Sequence, residues 1–83
     1  MELYEISADC LVVFCMLYWY VEAETEEDAW YKGYEIVNST TIADSGSVDC
    51  KWIDHLPEGA KLYKKGVRPR EKEIYADTDS ATT

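Results

Sequence analysis

The first 24 residues contain neither Gly nor Pro, and among them Val12, Val13, Phe14, Tyr18, Trp19, Tyr20 and Val21 are β-branched or aromatic. Side chains of this kind pack well on a pleated surface, so the segment predicts β structure. One strand from Leu3 to Ala23 would extend about 70 Å, whereas a domain of this length has a radius of gyration of about 12 Å. The chain must therefore reverse. Ser7-Ala8-Asp9 is the local candidate, because short polar side chains bond nearby backbone, and it gives a first strand over 2–8 and a second over 10–24. Along the second strand the odd positions Leu11 to Ala23 point one way, and Cys10, Val12, Phe14, Met16, Tyr18 and Tyr20 the other. Both sides are apolar. One small helix covers one face of a sheet, so the other face calls for the C-terminal segment, a second copy or a partner protein.

Alternation stops at Thr25-Glu26-Glu27-Asp28. Thr25 suits an N-cap, and the three carboxylates after it suit the positive end of a helix dipole. Apolar spacing then turns helical: Ala29, Trp30, Gly33, Tyr34, Ile36 and Val37 form one stripe, with Glu27, Tyr31, Lys32 and Glu35 facing out. Gly33 weakens a helix interior by about 1 kcal/mol relative to Ala, which predicts a close approach of helix to sheet. The stretch 38–41 ends the helix, 43–47 is a loop by composition, and 48–53 alternates as a third strand. Leu56-Pro57-Glu58-Gly59 reads as a tight turn leading to a short fourth strand over 60–64. Past Gly66 the residues are mostly polar or small, so 1–66 reads as one domain and 67–83 as a mobile tail. The predicted fold is α+β: an antiparallel sheet of three or four strands with one helix packed on one face.

Composition narrows the function. At 83 residues the chain suffices for one small core and leaves little room for a catalytic cleft, so a non-enzymatic role is expected. The apolar fraction of 47% rules out a disordered chain despite a net charge of −9. The apolar run from Cys10 to Val21 is 12 residues long, short of the roughly 20 a bilayer span needs. With no basic start and no cleavage site, a cytoplasmic location is expected and a membrane is not. Three Cys, two of them inside the apolar run, argue against a disulfide framework. Asp49, Cys50, Asp54 and His55 are zinc-type ligands, but with no Cys-x-x-Cys and no second His they lack metal-site spacing, and neither metal nor cofactor is expected.

Charge is segregated. Residues 1–50 hold eleven acids and one base, residues 51–83 six acids and seven bases. Glu22, Glu24, Glu26, Glu27 and Asp28 fall within seven residues at the strand-to-helix junction, flanked by Tyr18, Tyr20, Trp30 and Tyr31, with Glu35 on the same outward helix face. Such a cluster approaches locally the charge density of duplex DNA, about one charge per 1.7 Å, and suits a basic groove on another protein. A solvated helix start accounts for the same carboxylates through the dipole alone. The basic stretch Lys61 to Lys72, with Tyr63 among its lysines, suits a nucleic acid, but the acidic chain carries no recognition helix or phosphate loop, so direct nucleic-acid binding is disfavoured against a solvated tail or a clamp on the chain's own acidic face.

The run Tyr20-Val21-Glu22-Ala23-Glu24-Thr25-Glu26-Glu27-Asp28-Ala29 resembles a pattern common in small phage and mobile-element proteins, in which a strand ending in alternating apolar and Glu residues passes through Thr or Ser into an acidic helix start. Several anti-CRISPR proteins and a phage-encoded inhibitor of bacterial RNA polymerase are similar in size, acidity and strand order. The resemblance implies a non-enzymatic blocker of a larger host protein with a basic surface, a nucleic-acid-handling or defence complex. The basic stretch departs from a uniformly acidic mimic. A self-associating accessory protein, dimeric through the spare apolar strand face, is the alternative.

Overall fold

A computed structural model of the chain describes residues 1–73. Its elements are β1 (Glu2–Asp9), β2 (Cys15–Ala23), α1 (Glu26–Asn38), a 3-10 turn at Ser45–Ser47, β3 (Asp49–Ile53) and β4 (Arg70–Glu73). The strands form one sheet in the order β3-β1-β2-β4, every neighbouring pair antiparallel. With α1 packed on one face, this is the α+β architecture expected from the patterning.

The inner face follows the period of two. Tyr4, Ile6 and Ala8 of β1 alternate inward beside Cys15, Leu17, Trp19, Val21 and Ala23 of β2, and all are buried. Ala29, Gly33, Ile36 and Val37 of α1 close over them. Gly33 lets the helix in: a Cβ there would stand 2.9 Å from Cδ1 of Ile6. Thr25 caps the helix as expected, its Oγ1 accepting from the Asp28 amide at 3.1 Å.

The reversal lies later than Ser7-Ala8-Asp9. β1 continues through that tripeptide, with Ser7 opposite Tyr18, Ala8 opposite Leu17 and Asp9 opposite Met16. Ala8 is fully buried, and a one-residue slip in this register would turn the inward set of one strand outward. The chain turns instead at residues 11–14, closed by the Cys10 amide donating to the Cys15 carbonyl at 3.1 Å. The loop before β3 braces this hairpin, through Leu11 N–H to Ile42 O (2.7 Å) and Asp44 N–H to Asp9 O (2.9 Å). β2 is accordingly shorter than 10–24. Leu11, Val12, Val13 and Phe14 are no part of a strand and stand 59–69% exposed.

The outer face of β2 presents Met16, Tyr18 and Tyr20, and the chain's own C-terminal segment covers part of it. The Tyr63 amide donates to the Tyr20 carbonyl at 2.6 Å, and β4 pairs with Cys15 to Tyr18. Two expectations change here. Residues 60–64 do not form a strand but contribute one parallel bridge, Leu62 to Tyr20, while Arg70–Glu73, assigned by polarity to a tail beginning at 67, form the edge strand. Charged residues are what an exposed sheet edge carries. The rest of that tail, 74–83, lies outside the described residues.

Candidate functional site

The carboxylate cluster starts where β2 ends. Glu22 points outward near the end of the strand, Glu24 follows, and Glu26, Glu27 and Asp28 occupy the first turn of α1, where the dipole favours negative charge. All five are exposed. Further along the helix, Glu27, Tyr31 and Glu35 lie four residues apart, and Asp28, Tyr31 and Tyr34 three apart, which aligns them as adjoining rows. Tyr31 is 66% exposed and Tyr34 45%. The helix's one cation, Lys32, is drawn aside: its Nζ donates to the Glu22 carbonyl at 2.6 Å. What remains outward is a face of acids interleaved with tyrosine rings.

Tyr34 was expected in the buried stripe. It stands at the stripe's edge, its ring tilted at 32° against Trp30 with centroids 5.7 Å apart. Those two residues are four apart and so are neighbours along one side of the helix.

Tyr18 and Tyr20 do not join this face. Both belong to the sheet surface opposite the helix. Tyr20 is 4% exposed and its hydroxyl donates to Glu5 Oε2 at 3.2 Å, so its ring is held in the packing of that face. Burial, then the Glu5 carboxylate, pushes the Tyr20 phenol above its ordinary value, with Arg70 opposing. Tyr18 is half-buried and shifts upward for the same first two reasons. The candidate residues thus divide: Glu24, Glu26, Glu27, Asp28, Tyr31 and Glu35 on the helix side, Glu22 at the strand edge, and Tyr18 and Tyr20 on the open sheet face.

No protein-family model, curated protein or solved structure matches this chain.

The cysteines occupy unlike settings. Cys50 points inward from β3, and burial, with help from Glu26 and Asp49, pushes its thiol up to about 11. Cys10 begins the hairpin loop, where the backbone amides of Val12 and then Val13 favour the thiolate and lower its pKa. His55 is exposed. Among the described residues no group of three His, Cys, Asp or Glu is placed to hold a metal ion, and no helix is long and apolar enough to cross a membrane.

Proposed function

We propose that the chain is a non-enzymatic binding protein that docks the outer face of α1 onto a basic surface of a larger protein and so blocks or modulates it. One observation carries this reading: Glu27, Asp28, Tyr31, Tyr34 and Glu35 are all exposed at neighbouring positions of α1, and the one cation of the helix, Lys32, donates to the Glu22 carbonyl. Tyrosine is the kind of side chain that anchors interfaces, giving large contact area for few rotatable bonds. Carboxylates around it steer a cationic partner and disfavour acidic ones. A basic groove built for nucleic acid is the partner chemistry that fits, which agrees with the resemblance to phage anti-defence proteins and with a role against a host complex.

The test is capture from nuclease-treated bacterial lysate at rising salt. A stoichiometric partner lost at high salt and competed by added DNA supports the reading; a partner still captured in full by a Tyr31→Ala, Glu35→Lys variant refutes it.

The exposed hairpin favours a second reading, self-association. Four consecutive large apolar side chains at a loop tip are what a monomer avoids. Light scattering that gives a dimer for the parent and a monomer for a Val12→Asp, Val13→Asp variant supports it.

A further inference from the structure

The basic segment, read from sequence as a solvated tail or a clamp on the chain's own acidic face, is folded against the open face of the sheet. Two tight turns shape it: the Ala60 amide donates to the Pro57 carbonyl (2.9 Å) and the Val67 amide to the Lys64 carbonyl (2.9 Å). Gly59 and Gly66 take the third positions of these turns with φ of 81° and 96°, a conformation that L side chains rarely adopt. Between the turns Tyr63 is tied to Tyr20, and beyond them Arg70 pairs in register with Tyr18.

The result is a pocket of about 460 Å³ walled by Tyr18, Tyr20 and Tyr63 and by Lys61, Arg68 and Arg70. Its volume is that of a small-molecule site. Glu58 is the one acid among its lining residues, so three cations face one carboxylate in a chain whose net charge is −9. The adjoining hollow shares Tyr18, Tyr20 and Arg70 but adds Glu5 and Glu71 as well as Lys72, and there the excess of positive charge falls away.

We propose that this pocket binds a mononucleotide: a flat ring against the half-buried Tyr18 and Tyr63 and a phosphate on Arg68 and its cationic neighbours. An aliphatic carboxylate would use only the cations and an uncharged aromatic only the rings; a nucleotide uses both. The size is set by electrostatics. A small anion needs to touch only the lining cations, whereas a polynucleotide crossing the surface also meets Glu5, which holds the Tyr20 hydroxyl, and Glu71 of the adjoining hollow. This inference is independent of the docking role of α1.

Tryptophan and tyrosine fluorescence of the full chain, titrated with AMP, adenosine, inorganic phosphate and a single-stranded adenine 20-mer, tests it. AMP should bind saturably, with adenosine and phosphate each at least about tenfold weaker. Arg68→Ala, at an exposed position, should weaken AMP about tenfold and leave adenosine unchanged, the effect of one lost charge-assisted hydrogen bond. Tyr18→Leu should weaken AMP and adenosine alike, with circular dichroism confirming that both variants fold. No saturation by AMP up to about 5 mM, a range that includes weak millimolar sites, overturns the proposal, as does an Arg68→Ala variant that binds AMP like the parent. A 20-mer that binds more than about tenfold tighter than AMP overturns it in favour of a single-strand surface.

Discussion

Replacing Gly33 with Ala sets two effects of similar size against each other. Ala is favoured over Gly inside a helix by about 1 kcal/mol, and Gly33 lies mid-way along α1. The added Cβ, however, would stand 2.9 Å from Cδ1 and 3.1 Å from Cγ2 of Ile6. Ile6 is fully buried between the helix and its sheet neighbours, so its terminal methyl has no solvent to swing into. Overpacking of this kind costs about 1–3 kcal/mol. The expected balance is a loss of about 1 kcal/mol, or about 4–8 °C in Tm for a domain this small. Ile6→Val deletes the closest methyl and by itself costs about 0.5–1.5 kcal/mol. Combined, the two changes should exceed the sum of the singles in stability by about 1 kcal/mol, because the new Cβ takes up room the lost methyl vacates. Urea unfolding followed by tryptophan fluorescence closes this double-mutant cycle, with the buried Trp19 as reporter. A Gly33→Ala variant that gains the full helix-propensity increment and shows no coupling to Ile6 would refute the close approach.

Removing the helix cap with Thr25→Ala should cost about 1 kcal/mol in the same urea assay, since it orphans the Asp28 amide. Val12→Asp with Val13→Asp should leave stability within about 0.5 kcal/mol of the parent, because both side chains already face water. Alkylation at neutral pH, read by mass spectrometry, should label Cys10 well before Cys50, whose thiol is held up to about 11. For the same reason the folded chain keeps the Cys50 proton to higher pH than the unfolded chain, whose thiol has the ordinary value of 9.0, and raised Tyr18 and Tyr20 act likewise from 10.0. Stability from these groups is complete below about pH 9 and lost as pH rises through their folded values; Cys50→Ala should flatten the first part of that decline.

The parts legible from sequence were those with a strong period or a local chemical signature. The common side of Leu17, Trp19 and Val21, the Thr25 cap and the helical stripe through Ala29, Gly33, Ile36 and Val37 all rest on short-range rules, whereas the inward set Tyr4, Ile6 and Ala8 of β1 emerged only with the pairing. The hairpin was misplaced because Leu11 to Phe14 are strong strand formers by propensity, and only the pairing of Ala8 with Leu17 and the brace from Ile42 and Asp44 put them in a loop. β4 was missed because an edge strand of Arg, Glu and Lys has the composition of a solvated tail. The pocket was invisible for a related reason: it needs Tyr18 from β2 and Tyr63 and Arg68 from a segment some fifty residues later, brought together by long-range pairing. Of the candidate contact residues, Tyr31 and Glu35 are exposed on the helix as its period predicts, while nothing local revealed that Tyr20 is buried with its hydroxyl on Glu5.

The most direct test of the docking role is a quantitative pull-down from nuclease-treated lysate with three baits of equal helicity: the parent chain, the Tyr31→Ala, Glu35→Lys variant and the Val12→Asp, Val13→Asp variant. The account predicts one stoichiometric partner with a basic surface, retained by the parent and the hairpin variant and reduced at least about tenfold by the helix-face variant. Retention by the helix-face variant with loss by the hairpin variant would contradict it and move the interface to the loop at residues 11–14.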